Sequence, residues 1–340
     1  MTKGTKKGVD ERQDFELKTL KERGSLPRTD LRKIMRQSGF AVSHATVGMD
    51  LKTLERRGLV VVGTRTITYS TRPRTAFDDR LTHQENEKRE IAEAAMAMIL
   101  AKTSIQQEMC DLLRGKIGWQ DMPVTHLLKG FWEKSDRSVT LDAGTTTLAI
   151  VDKLKFVRFP YAECSHITVL TNSPPIVKSL YDNNNEYIEV ICAGGELRPR
   201  RCSLIGYLAE RSLESFGLVT DICFIGVTGV DLDRGFTCDD VMESEIKMRL
   251  LDSSRIRCLV MDHTKVTKPK GAFSVFVGLS TKKIDCIIMD NKTEDADFGA
   301  FRRKLEELKI PLLTPSLLGL CGSHLENQML PRPKILEEAL

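Results

Sequence analysis

Apolar positions recur along this chain in two rhythms. Over residues 14–69 they come in short runs at helical spacing. Phe15, Leu17 and Leu20 mark a helix over 14–23 that stops at Gly24. Thr29 caps a second helix with Leu31, Ile34 and Met35 on its inner face, and residues 39–42 form a turn. Ser43 caps a third helix over 43–58. Val47, Leu51 and Leu54 recur there at i, i+4 and i+7, which leaves His44, Ala45, Thr46 and Gly48 near its exposed N-terminal end. Residues 59–62 and 66–69 alternate like two short strands around Gly63. From residue 138 the rhythm changes to continuous apolar runs, at 138–141, 167–170, 187–192, 221–227, 257–261 and 284–289, separated by helical stretches. Runs of that kind predict a mostly parallel sheet covered on both faces.

The first such run leads into the stretch that organises the second regime, residues 138–148. Val139 and Leu141 end a buried strand, Gly144 lets the backbone turn, and Thr145, Thr146 and Thr147 open a helix. A helix start offers unpaired N–H groups and the positive end of the helix dipole, so this stretch is a candidate anion cradle, or else a capped turn that holds nothing. Ligands of parallel sheets bind beyond the carboxyl ends of the strands. Each later strand also ends in a polar or glycine cluster: Thr171-Asn172-Ser173, Gly194-Gly195, Asp231 and Asp262 to Lys265.

Charge separates the two regimes further. Residues 1–80 hold 18 Lys and Arg against 10 Asp and Glu, a net of +8; the remainder holds 33 against 37, a net of −4. A basic small domain joined to a mildly acidic larger one suggests a polyanion partner for the first, against the plainer reading of a solubilising face. Three short helices and a hairpin describe a winged helix-turn-helix, whose third helix enters the major groove by its N-terminal residues. Ser43, His44 and Thr46 can then meet base edges, and Arg56, Arg57, Arg65, Arg72 and Arg74 phosphates, with Lys52 on the same helix. A helical dimerisation module is the alternative. The nine cysteines form no Cys-x-x-Cys pair and read as reduced core residues, with no metal site. No run is long and apolar enough for a membrane span and no leader is evident, so a cytoplasmic protein is expected.

These motifs together resemble the DeoR family of bacterial transcriptional regulators, a winged helix-turn-helix fused to a phosphosugar-sensing domain. The resemblance rests on residues 142–147, 171–173, Gly194-Gly195 with Ser203 and Gly206, 224–231, Gly235-Phe236-Thr237, Glu243, Glu245 and 262–265, in the family's order, and on residues 42–47 and 50–58 of the first domain. Phe77, Arg80, Glu87, Lys88, Ile91 and Ala92 match in the linker. It implies an α/β chain: a winged helix-turn-helix at 1–75, a linker and connector helix at 76–101, and a mostly parallel, Rossmann-like sensor domain at 138–320, with a tail at 321–340. The sensor fold it implies is related to ribose-5-phosphate isomerase and glucosamine-6-phosphate deaminase.

On that resemblance the chain is expected to be a repressor of sugar metabolism, an oligomer that binds a duplex operator and responds to a sugar phosphate, with no cofactor. Gly144, Thr145, Thr146 and Thr147 would hold the phosphate with Lys265 as cationic partner. Asn172, Asp231 and Glu243 would read hydroxyls, Asp142 would orient the loop, and Thr171, Ser173, Gly194 and Gly195 would complete the site. An isomerase or deaminase with a DNA-binding appendage is the alternative, its carboxylates supplied by Asp231, Asp233 and Glu243; Arg234 stands where those enzymes carry a lysine, and arginine is a poor proton shuttle. A sensor whose DNA-binding domain has decayed is a third. The chain departs from the family pattern at Gly48-Met49, where two arginines are usual, in its wing at residues 66–69, and in an insertion at 102–137 that holds Trp119 and Trp132. That insertion is expected to be a surface helical excursion packed by its own aromatics and dispensable for folding, with a lid or an oligomer contact as the alternative.

Overall fold

The computed structural model describes residues 6–56, 59–63, 65–69, 76–100, 123–158, 164–216, 219–238, 241–266, 274–279, 283–292 and 296–318. Arg57, Arg72, Arg74, Trp119, Cys110, Cys321 and the tail at 321–340 lie outside them. Internal contacts divide the chain into two units, Met1–Asp79 and Arg80–Leu340.

In the first unit α1 (Lys6–Arg23) begins earlier than the apolar pattern suggests and ends where expected, with Gly24 at φ +73°. Helices α2 (Arg28–Gln37) and α3 (His44–Arg56) follow. The N-cap of α2 is Pro27 rather than Thr29 and makes no side-chain bond; proline's fixed φ is already suited to a helix entry. Strands β2 (Val60–Val62) and β3 (Thr66–Tyr69) are joined by a third, β1 (Ser25–Pro27), in an antiparallel sheet of order β1-β3-β2. Three residues are too few to show alternation, but the residue before a proline is held extended, and Leu26 is buried. Val47, Leu51 and Leu54 pack with Leu20, Leu31, Met35 and Ile67 in one core.

The second unit is built on seven parallel strands, in order β15-β14-β12-β9-β4-β5-β6. They are β4 (Asp136–Leu141), β5 (His166–Thr171), β6 (Ile188–Cys192), β9 (Thr220–Gly226), β12 (Ser254–Met261), β14 (Cys286–Met289) and the short β15 (Leu312–Leu313). Successive residues of β9 serve opposite faces. Ile222 and Phe224 pack under α5 (Glu85–Leu100) and α7 (Thr145–Leu154); Cys223 and Ile225 pack under α10 (Val241–Asp252) and α11 (Ala296–Leu308). Both faces being covered is why β9, β12 and β14 read as unbroken apolar runs, Ile222 to Ile225, Cys258 to Met261 and Cys286 to Met289. Between the strands lie α8 (Pro174–Asn183) and α9 (Tyr207–Phe216), a two-stranded arm of β7 (Glu196–Arg198) and β8 (Ser203–Ile205), and an antiparallel sheet of β10 (Gly229–Asp231), β11 (Gly235–Cys238) and β13 (Ser274–Val277).

The excursion expected over 102–137 does not extend to its last part. Residues 123–132 form α6 (Pro123–Trp132), whose Leu128, Phe131 and Trp132 lie in the same core as α5. Trp132 Nε1 donates to Met98 O at 2.7 Å, and the buried Arg137 donates to Ile99 O at 2.6 Å and Trp132 O at 2.9 Å. Two of these bonds satisfy carbonyls in the buried last turn of α5, and the third satisfies the carbonyl that ends α6. Arg137 itself belongs to β4.

Candidate functional site

The carboxyl ends of three adjacent strands, β4, β9 and β12, open on a cavity of about 180 Å³. After β4, Asp142 O accepts from Gly144 N at 3.0 Å and from Thr147 Oγ1 at 2.8 Å, and Gly144 O also accepts from Thr147 Oγ1 at 3.0 Å. One buried threonine hydroxyl thus ties the loop to the first turn of α7. Gly144 is the N-cap of α7 and offers no side-chain acceptor, so the N–H groups of that first turn are left for another partner. Its φ of −148° is ordinary extended backbone, which corrects the expectation that the glycine is needed to turn the chain. What it provides is room: a Cβ there would lie 3.2 Å from Thr147 Oγ1 and 3.5 Å from Asp142 Oδ1.

Beneath the loop, Asp142 is buried and hydrogen-bonds the buried Lys247 of α10, which also donates to Gly226 O at 2.9 Å and lies 3.7 Å from Glu243. Burial alone would lower the Lys247 pKa, but the negative charges of Asp142 and Glu243 hold it above the ordinary value. Asp142 Oδ1 makes no hydrogen bond. After β12, Asp262 accepts from Thr264 N at 3.1 Å and shapes a helical turn that carries Lys265 to the cavity, with Lys265 Nζ 3.6 Å from Asp262. Arg80, His83 and Lys88 line another wall. Lys88 donates to Arg80 O and His83 O, and burial pushes its pKa down to about 8, with Lys265 and Arg80 adding repulsion and Asp262 opposing.

Five cations, Arg80, Lys88, Arg201, Lys247 and Lys265, therefore face three carboxylates, Asp142, Glu243 and Asp262. An excess of two positive charges beside an open helix N-terminus suits a dianion. Of the residues singled out in the sequence, this wall brings together Asp142, Gly144, Thr145, Thr146, Glu243 and Lys265. Thr147 lies behind the loop. Thr171 Oγ1 accepts from Ser173 N at 3.1 Å, and Asn172 Nδ2 donates to Leu204 O at 3.0 Å, so this turn holds β8 and does not line the cavity. Gly194 N donates to Ser212 Oγ at 3.1 Å. Gly195, at φ +125°, is required for packing, since a Cβ would meet Ala209 Cβ and Ile205 O at 2.7 Å. Asp231 Oδ1 accepts from Asp233 N and Arg234 N at 3.0 and 2.9 Å and closes the β10–β11 hairpin.

Lys247 and Lys88 went unselected as site residues in the sequence. Lys247 stands four residues after Glu243 on α10, a spacing shared by ordinary surface pairs, and Lys88 lies in a polar linker. In the first unit, Ser43 Oγ accepts from Thr46 N at 3.0 Å and meets Thr46 Oγ1 at 2.8 Å, while Arg32 donates to His44 Nε2. Lys52 and Arg65 are exposed, and Arg56 ends α3.

Residues 133–291 match the family described as the DeoR C terminal sensor domain. The HTH-type transcriptional regulator GolR of Listeria innocua is 26% identical over 294 residues, 86% of this chain and 94% of that protein. The putative aga operon transcriptional repressor of Escherichia coli O157:H7 is 25% identical, covering 83% of this chain and 87% of its own, and the HTH-type transcriptional regulator GlpR of Haloferax volcanii 27%, covering 75% and 81%. Part of the second unit thus matches the DeoR C terminal sensor domain, and the chain as a whole is similar to curated transcriptional regulators and repressors. Ribose 5-phosphate isomerase from Plasmodium falciparum matches at a TM-score of 0.27 and 10% identity, over 48% of this chain and 52% of that one, a likeness too slight to bear on fold or function. Among the described residues no helix is long and apolar enough to cross a membrane.

Proposed function

We propose that this chain is a DNA-binding transcriptional regulator of sugar metabolism, controlled by a phosphorylated sugar. Residues 1–75 form a winged helix-turn-helix that binds duplex DNA, as a dimer or larger assembly because one such module reads only a half-site. Residues 138–320 form the sensor. Its effector phosphate sits at the N-terminus of α7, on Thr145, Thr146 and the amides after Gly144, with Lys265 and Lys88 as cations. The pair Asp142–Lys247 fixes the loop from below, and Glu243 faces the sugar.

One observation carries this reading: an uncapped helix N-terminus, held open by Thr147 from behind, in a cavity with two more cations than carboxylates. A neutral sugar would leave those donors unpaired, costing about 1–3 kcal/mol per group. Of the carboxylates the isomerase alternative would use, Asp231 is engaged in its hairpin turn, away from the cavity, so that alternative rests on Glu243, which lines the cavity 3.7 Å from Lys247. The test is calorimetric titration of the full chain with matched pairs of sugars and sugar phosphates. The phosphorylated member of a pair should bind more tightly, and Thr146→Val should weaken it with little change in stability. Equal affinity within every pair that binds would sink the proposal.

A further inference from the structure

On α3 an exposed face runs along the side of the helix as well as at its start. Ala45, Gly48, Met49 and Lys52 fall at i, i+3, i+4 and i+7, on one face of the helix, and all four are exposed. Met49 is 64% exposed, and a Cβ placed on Gly48 would meet nothing within 4 Å. This leaves an apolar strip at Ala45, Gly48 and Met49, with one projecting thioether side chain and the charged Lys52 at its C-terminal end. The opposite face carries Val47, Asp50, Leu51 and Leu54, all buried.

Two features set what this strip can recognise. The polar groups at the start of α3 are engaged within the protein: Ser43 caps the helix and meets the Thr46 hydroxyl, and His44 Nε2 accepts from Arg32. Of the side chains that pair bidentately with guanine or adenine, the helix between His44 and Glu55 carries one lysine, Lys52, and no arginine, asparagine or glutamine. The surroundings are cationic, with Arg28, Lys33, Lys52 and Arg65 exposed and the region 1–80 carrying +8 overall. That charge complements a polyanion, and the apolar feature a duplex offers in its major groove is the thymine methyl group.

We propose that Ala45 and Met49, with the space over Gly48, form a reader of thymine methyl groups, so that this chain selects DNA chiefly by methyl contacts along the side of α3. The inference rests on the reading of residues 1–75 as a DNA-binding domain. Phosphate contacts from the surrounding cations supply affinity without sequence preference, and the strip supplies the preference. It also gives the chain's departure at Gly48-Met49 a function: shortening one side chain and making the next apolar removes guanine readers and admits a methyl.

The test uses the full chain and duplexes enriched by it from a randomised pool. Each thymine in an enriched duplex is replaced in turn by deoxyuridine, which keeps pairing and the O4 acceptor and removes only the methyl. Binding should fall about fourfold for each methyl buried against the strip. Met49→Ala should abolish that sensitivity while leaving the salt dependence of binding unchanged; Met49 is exposed, so thermal unfolding of the variant reports that the unit still folds. Uracil substitution without effect at every position, or a Met49→Ala variant that keeps the full thymine preference, would overturn the proposal. Failure to bind any duplex at low salt would overturn the DNA-binding reading, and this one with it.

Discussion

Each unit of this protein has a helix that opens with hydroxyl-bearing residues after a turn, and the two openings are built in opposite ways. In the sensor, α7 follows Gly144, which makes no side-chain cap, and Thr147 donates backwards to Asp142 O and Gly144 O. Its first-turn amides stay available. In the N-terminal unit, α3 follows Ser43, whose hydroxyl accepts from Thr46 N. That end is closed. An open helix end takes an anion, whereas a closed one passes recognition to the side of the helix. The buried carboxylates differ too. Asp142 is paired with Lys247 beneath the open end, while Glu16 in α1 is fully buried with neither oxygen hydrogen-bonded.

The largest effect is expected where the open end is anchored. Lys247→Met leaves the Asp142 charge buried without its cation, at a cost of about 3–5 kcal/mol. Denaturant unfolding of the full chain should show that loss, and it should shrink when Asp142→Asn is added. A loss below about 1 kcal/mol would mean that the pair does not hold the loop.

Glu16 should behave in the opposite sense. Burial, with Asp50 adding repulsion and Arg12 opposing, pushes its pKa up to about 8 from an ordinary 4.5. The folded unit then binds more protons than the unfolded chain between those values, so its stability falls as pH rises through that window and is constant above it. Glu16→Leu removes an unpaired buried group and should stabilise the unit by up to about 3 kcal/mol at pH 8, flattening the pH dependence. If thermal unfolding of the variant kept the same slope, Glu16 would not be its source.

Next in size is the pH dependence of effector binding. Burial brings the Lys88 pKa down to about 8, and a dianion beside it would raise that value. Binding should therefore take up a proton above about pH 8 and weaken with rising pH, at most about tenfold per pH unit. Calorimetry in buffers of different ionisation enthalpy measures the uptake, and Lys88→Met should abolish it.

What the sequence could and could not convey follows from these particulars. Strands β9 and β12 were legible because residues buried on both faces leave apolar runs, Ile222 to Ile225 and Cys258 to Met261. Strands β4 and β5 carry Thr140 and Thr168 among their apolar residues and were legible from Val139, Leu141 and Ile167 to Leu170. The start of α3 was legible because Ser43 precedes a stripe at helical spacing. Thr146 and Thr147 are indistinguishable as residue types. One lines the cavity and the other lies behind the loop, a difference set by about 100° of helical rotation relative to the sheet. Glu16 next to Phe15 and Leu17 gave no sign of burial, because the inner face of α1 is fixed by α3 and the small sheet packed against it. Lys247 was hidden for the same reason: only the sheet says which face of α10 turns inward. Residues 123–137 looked like an excursion because their partners, the last carbonyls of α5, are distant in sequence from Trp132 and Arg137.

The smallest effect distinguishes the closed end most cleanly. If Ser43 is a cap, Ser43→Ala removes one acceptor from the first turn of α3 and should cost about 1 kcal/mol of stability in the N-terminal unit. Thr46 N would then turn to water, since its bond to Ser43 lies at the exposed surface. Sequence preference should survive, because the strip at Ala45 and Met49 lies on the helix side and keeps its register as long as α3 forms. DNA affinity should therefore fall by the same small factor on preferred and random duplexes. A base-reading serine would behave differently, with stability almost unchanged and the loss confined to the preferred sequence. Measuring unfolding and binding to both kinds of duplex on the one variant decides between these outcomes, and the second would show that α3 reads DNA from its end.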